Sequence, residues 1–371
     1  MTGIKIPYRY DFVGSFLRPQ ALKDAKAAYQ KKVMSQEEYD ALVNKEITKV
    51  VAKQKELGYH VITDGEFRRT FWHLDFMWGL EGVAHENTGN GVRFDAELAV
   101  LDDTYLVGKI KAKPHPFVEY FKFLKQFENE NTVAKYTIPA PAQTFQQMIV
   151  PANLESTRRF YETDEELIQD IAAAYRDVIR QFYDAGCRNL QFDDCTWGAV
   201  VGDAAKLRYK SLGKNLEDVK QELLRVNNLA LEGKPEDMAI TSHICRGNYH
   251  STFFNSGAYD SVADYVFAQE NVDALFLEYD DERSGGFEPL AKVSEDKNVV
   301  LGLITTKTPE LEDKAKIIRR IYEAAKYVPL ERLCLSPQCG FASCEIGNKL
   351  TEEEQWAKLR LVKEIAEEVW K

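Results

Sequence analysis

Residues 216–245 read LEDVKQELLRVNNLALEGKPEDMAITSHIC, and this stretch holds the two patterns that decide the fold. A helical pattern covers 216–232 and stops at Gly233. A short apolar, β-branched run follows at 239–245. The alternation recurs along the chain. Strand-like runs fall at 12–15, 61–66, 136–141, 189–194, 239–245, 274–279, 299–305 and 333–339, eight in all. Helical patterns fall between them, at 36–57 after Ser35, 164–185 after Thr163, 311–327 after Thr308-Pro309 and 352–370 after Thr351. Hydroxyl residues before a helix accept from its free N–H groups, and a glycine after it takes the left-handed turn, as at Gly58 and Gly186. Strands alternating with helices predict a parallel sheet with crossover helices. Residues 79–132 break the rhythm and predict an insertion, with a β-ribbon around 104–110 and a helix after Pro116. The expectation is an α/β fold: a (β/α)8 TIM barrel with an insertion after strand two, residues 1–371 forming a single catalytic barrel domain. An open doubly wound sheet competes with it, but no Gly-rich dinucleotide fingerprint follows the first strand.

Composition narrows the class of protein. With 371 residues and 44% hydrophobic content, the chain can bury a large core. Formal charge is 48 − 59 = −11, which argues against a broad basic footprint for nucleic acid or anionic lipid. No run of about 20 apolar residues predicts a membrane span. Residues 1–7 lack the apolar region of a secretory signal. Six cysteines are too sparse for a disulfide scaffold, so reduced thiols in a cytoplasmic protein are expected.

In a barrel of this kind, function gathers at the C-terminal ends of the strands. Those ends carry Ser15, Asp64 with Glu66, Gln143, Asp193 with Asp194, His243 with Cys245, Glu278, Thr305 with Lys307, and Cys339. Positions two apart on a strand share a face, so His243 and Cys245 point the same way. Imidazole beside thiolate suits Zn²⁺, and strands five, six and eight can bring Glu278 and Cys339 to the same ion. An H-x-C pair is also compatible with plain packing, and Cys344 is a rival to Cys339. The loop Gly14-Ser15-Phe16-Leu17-Arg18 offers an amide, a hydroxyl and a guanidinium for a carboxylate, sulfonate or phosphate. Asp193-Asp194 offers a site for an ammonium or a base. Asp64, Glu66, Arg68 and Arg69 form either a substrate loop or a solvated turn.

Together, Val13-Gly14-Ser15-Phe16, Asp64-Gly65-Glu66, Phe192-Asp193-Asp194, His243-x-Cys245, Glu278 and Ser336-Pro337-x-Cys339-Gly340 resemble the catalytic barrel of cobalamin-independent methionine synthase. The resemblance runs from residue 10 to the C-terminus and is closest to the short, single-barrel members. It implies a methyltransferase of the 5-methyltetrahydropteroyltriglutamate–homocysteine type. His243, Cys245, Glu278 and Cys339 match the zinc ligands, with Glu278 also catalytic through its displacement as the thiolate enters. Ser15, Glu66 and Asp193 match the residues that hold the amino-acid end of homocysteine, and Arg18 joins them as a candidate for substrate binding. The zinc-held thiolate would attack a methyl group in line.

The chain also departs from that pattern. The His expected on the strand-seven segment is replaced by Leu303-Ile304-Thr305-Thr306-Lys307, making Lys307 the candidate proton donor. The tryptophan that packs on folate after strand three is missing, and Trp197 is the candidate replacement. The methyl donor is therefore open between 5-methyltetrahydrofolate, a methyl-corrinoid protein and another methyl compound. Two alternatives remain beside homocysteine methylation. One is alkyl transfer to another thiol such as coenzyme M, as in epoxyalkane:coenzyme M transferases, with Arg18, Arg68 and Arg69 on the sulfonate. The other is a non-catalytic zinc-binding barrel.

Overall fold

In the computed structural model, residues 5–94 and 97–371 are described. Residues 1–4, part of the opening read for a secretory signal, lie outside them. In chain order the strands are β1 (Val61–Ile62), β2 (Glu81–Glu86), β3 (Gly91–Phe94), β4 (Glu97–Val100), β5 (Asp103–Lys111), β6 (Val133–Ala134), β7 (Tyr136–Pro139), β8 (Asn189–Asp194), β9 (Ala239–Ile244), β10 (Ala274–Glu278), β11 (Asn298–Ile304) and β12 (Leu333–Pro337). β7 through β12 form one parallel sheet with neighbours in sequence order. Nearly every position in it is buried, because helices cover one face and side chains fill the other.

Three backbone contacts close this sheet into a TIM barrel. β1 pairs in parallel with β6, and the Lys135 amide continues the ladder to the Ile62 carbonyl at 2.8 Å. Asp11 N–H donates to Leu335 O at 3.0 Å, and Leu335 N–H donates to Arg9 O at 2.9 Å. Across the other edge, Phe16 N–H donates to Gly65 O at 3.1 Å. Residues 9–16 are thus the first stave, although only Tyr10 makes a ladder bridge, to Leu335. The predicted strand at 12–15 is corrected accordingly. Gly14 adopts φ 152°, where a Cβ would meet Thr137 Cγ2 at 2.9 Å, and the chain turns out of register into the mouth. The run at 61–66 is likewise laddered only over Val61–Ile62.

Capping chemistry sets the helix ends. Ser35–Glu38 and Thr351–Glu354 both form capping boxes, and the Thr163 hydroxyl accepts from Glu166 N–H. One boundary moves: the helix predicted over 311–327 spans Lys314–Ala324, capped by Asp313. The Glu312 carboxylate accepts from Thr305 N–H at 2.8 Å and from Lys358 at 2.9 Å, which holds the preceding segment out of the helix. Between β1 and β6, the insertion carries the antiparallel ribbon β2–β5, the hairpin β3–β4 and the helix Pro116–Lys125. Among the described residues, no helix is long and apolar enough to cross a membrane.

Inside the barrel, Lys135 and Asp11 form an ion pair at 2.8 Å with both side chains 1% exposed. Lys135 also donates to Phe12 O and packs over the Phe276 ring at 4.7 Å. Removing one partner strands the other charge in low dielectric. Asp11→Ala should therefore cost about 3–5 kcal/mol. Asp11→Leu combined with Lys135→Met should recover most of it, read as urea midpoints. A loss under about 1 kcal/mol in the single variant would show that the pair does not hold the seam.

Candidate active site

β9, β10 and β12 end at the barrel mouth and bring four side chains together. His243, Cys245, Glu278 and Cys339 are all buried, and their donor atoms lie within 4.8 Å of one another. The Cys245 and Cys339 sulfurs are 3.8 Å apart. Two thiolates bound to one tetrahedral zinc at about 2.3 Å would be separated by about 3.8 Å, so the spacing fits the ion. Neither ring nitrogen of His243 has a hydrogen-bond partner, which leaves a buried imidazole free to bind a cation. Glu278 is held firmly: Oε1 accepts from Arg246 N–H at 2.7 Å, and Oε2 pairs with Arg283 at 2.7 Å. Cys195 and burial push the Cys245 thiol well above its ordinary value, and Cys245 does the same to Cys339. Such thiols ionise readily only beside a cation. One N, two S and one O donor suit zinc.

Above this cluster lies a cavity of about 320 Å³. Ser15, Glu66 and Asp193 line it together with His243, Cys245 and Cys339. Glu66 sits in the left-handed region at φ 62°, a strained conformation for a side chain of this size. Thr137 Oγ1 donates to its Oε1 at 2.7 Å, and Arg69 lies 3.3 Å away. Asp193 accepts from Gln191 at 2.8 Å. Burial, then the Glu66 charge, push Asp193 up to about 8. Glu66 and Asp193 give this end of the cavity an acidic lining. The Ser15 hydroxyl accepts from Ala342 N–H at 3.2 Å. Gly340 makes room for it, since a Cβ there would stand 2.0 Å from Ser15 Oγ.

Other candidate residues fall elsewhere. Arg18 is buried behind the wall, where it donates to Glu66 O at 2.7 Å, Ala342 O at 2.8 Å and Phe16 O at 3.0 Å. It ties three mouth loops together and does not line the cavity. Arg69 donates to Thr137 O at 2.6 Å and stacks on Phe117, while Arg68 bonds Asn44 and stacks on Tyr120. None of the three reaches the wall, which removes the sulfonate clamp expected from the sequence. Lys307 lies off the wall as well, 3.8 Å from Asp280. Trp197 is fully buried, with Nε1 bonded to Glu270 at 3.1 Å, and does not face the cavity. Cys344 is on the wall but outside the four-residue cluster.

The sequence reading missed the outer wall, where Trp72, His73, Phe94, Tyr249 and Phe254 stand. Burial pushes His73 down to about 3, so its imidazole is neutral. The aromatic run Phe71-Trp72-His73 after the second strand, and the turn signal Gly89-Asn90-Gly91, were the available cues.

Comparison with known proteins gives a consistent picture. The profile of the family described as cobalamin-independent synthase, catalytic domain, matches residues 11–94 and 154–368. The uncharacterized protein YxjH of Bacillus subtilis is 44% identical over 99% of this chain and 96% of its own length. A Listeria monocytogenes structure, provisionally assigned as a vitamin-B12-independent methionine synthase, is 39% identical and superposes with a TM-score of 0.77 over 98% of both chains. A B12-independent methionine synthase from Shewanella, solved with selenomethionine, shares the fold at 20% identity, with a TM-score of 0.70 over 97% of both chains.

Behind β8, Asp194 and Glu270 share the Asn227 amide at 3.0 and 3.3 Å. Burial, then Asp194, push Glu270 up to about 8. Its folded value therefore lies above the unfolded one near 4.3. Between those two values the native chain keeps a proton that the unfolded chain has lost, so stability falls as pH rises through the window. Urea midpoints at mildly acidic, neutral and mildly alkaline pH should show this slope, reduced in Glu270→Gln. An unchanged slope in the variant would assign it to other groups.

Proposed function

The chain belongs to the cobalamin-independent methionine synthase family of methyltransferases, and on that premise we propose that it is a zinc-dependent thiol S-methyltransferase converting homocysteine to methionine. One observation carries this reading: an N, S, S, O donor cluster forms the floor of a cavity whose inner end bears the buried carboxylates of Glu66 and Asp193. His243, Cys245, Glu278 and Cys339 would hold the ion. When bound, zinc lowers the pKa of a substrate thiol and keeps it as a nucleophilic thiolate at neutral pH.

The chain's own residues do the rest. Glu66 and Asp193 receive the substrate ammonium, which supplies the counter-charge that Asp193 lacks. The Ser15 hydroxyl and nearby backbone amides receive the carboxylate. Fixing that end orients the sulfur for in-line attack, so the encounter becomes effectively intramolecular. Arg283 gives Glu278 a standing partner, so its carboxylate can leave the cluster without becoming an uncompensated buried charge. Arg18 acts as a positioning residue through the Glu66 and Ala342 carbonyls. In this reading residues 1–371 work as a single catalytic barrel in the cytoplasm, a location that the free cysteines support. A sulfonate-bearing thiol is disfavoured, because none of Arg18, Arg68 and Arg69 reaches the wall.

The purified protein should carry one zinc per chain, and His243→Ala or Cys339→Ser should lose it. X-ray absorption at the zinc edge should gain a sulfur ligand when homocysteine is added. Asp193→Asn should raise KM for homocysteine about 10- to 100-fold with zinc content unchanged. Full zinc occupancy with no added sulfur would sink the proposal.

A further inference from the structure

The outer half of the cavity bears on the identity of the methyl donor. Among the described residues, the wall carries no Lys and no Arg, and Glu66 and Asp193 are its only carboxylates. Among the described residues, an anionic donor therefore meets no counter-charge on this wall. The aromatic rings are grouped instead: Phe94 lies 5.3 Å from Tyr249 and 5.4 Å from Phe254 between ring centroids, with Trp72 on the same wall. Glu97 ties the hairpin that carries Phe94 over the mouth, pairing with His250 at 2.6 Å and Lys349 at 3.0 Å. Aromatic faces attract a desolvated cation.

Proton supply points the same way. A methylated amine such as a pterin leaves well only if it gains a proton. Lys307 lies off the wall beside Asp280, the His73 imidazole is neutral, and Asp193 is taken by the substrate ammonium.

Resting on the thiol-methyltransferase reading above, we propose that this cavity selects a cationic methylsulfonium as methyl donor, held against Trp72, Phe94, Tyr249 and Phe254. In the transfer, a carbon–sulfur bond forms between the substrate thiolate and the donor methyl carbon. The bond from that carbon to the sulfonium sulfur breaks, and its electron pair stays on the leaving sulfur. One anion and one cation become two neutral thioethers. The step needs no proton, oxidant or reductant.

The test uses the zinc-loaded full chain with homocysteine and methyl-labelled donors: S-methylmethionine, trimethylsulfonium, 5-methyltetrahydrofolate as mono- and triglutamate, and methylcobalamin. Labelled methionine should form from a sulfonium at least about tenfold faster than from the other donors. Phe94→Leu should raise KM for that sulfonium about 3- to 30-fold with kcat little changed, because the apolar contact survives and the ring quadrupole does not. Faster transfer from folate or methylcobalamin overturns the proposal, as does no transfer from any sulfonium. Zinc-edge spectra of the same samples separate the two readings. Sulfur ligation without sulfonium transfer removes the donor class alone, whereas no sulfur ligation removes the thiol chemistry with it.

Discussion

The seam between residues 9–16 and β12 is the constraint on which the rest of the molecule hangs. Cys245 and Cys339 are 94 positions apart, yet their sulfurs stand 3.8 Å from each other. They meet because β9 and β12 belong to one closed sheet, and closure is made by a stave with hardly any ladder of its own. Two backbone hydrogen bonds to Leu335, one to Gly65 and the buried Lys135–Asp11 pair replace a regular strand. The irregularity has a purpose in the geometry. A stave in full register would carry Ser15 past the mouth, whereas the turn at Gly14 sets its hydroxyl against the notch left by Gly340.

Buried arginines follow the same logic. Guanidinium groups at a barrel mouth suggest anion binding, but Arg18, Arg69 and Arg283 are spent on carbonyls and carboxylates of the protein itself. Each holds a loop that would otherwise bury unsatisfied oxygens. Glu66 shows the consequence: its left-handed backbone persists because Arg18 grips its carbonyl while Thr137 and Arg69 hold its carboxylate. The positive charge of these three is thus consumed in building the mouth.

That division explains what the sequence made legible. His243, Cys245, Glu278 and Cys339 were readable because each lies on a barrel strand or within two residues of its end, where strand direction and parity still guide the side chain. Arg18 and Lys307 were misplaced because they lie on loops, where position along the chain says nothing about where a long side chain turns. The four central staves, β8 to β11, matched the predicted runs to within a residue, being buried on both faces and bounded by clear breaks. The first stave did not, since its register is set by long-range partners and not by its own composition. The outer wall was hidden for a related reason: Val92, Phe94 and Leu101 come from an insertion whose period belongs to a local ribbon, with no relation to the barrel.

The cavity draws on chain inside and outside the family profile, and the aromatic residues Trp72, Phe94, Tyr249 and Phe254 fall inside it. Ser15, Glu66, Asp193, His243, Cys245 and Cys339 all fall in the segments that match the family profile, whereas residues 95–153 fall outside it. That unmatched stretch supplies Ala99, Leu101, Gln143, Gln146 and Val150 to the wall. The inner donor cluster is set by strand ends, and strand ends cannot move without breaking the barrel. Residues 95–153 reach the cavity from β4, the turn after it and the helix Pro141–Ile149, at positions away from the cluster. A fold arranged this way can keep the donor cluster while the lining supplied by residues 95–153 changes above it.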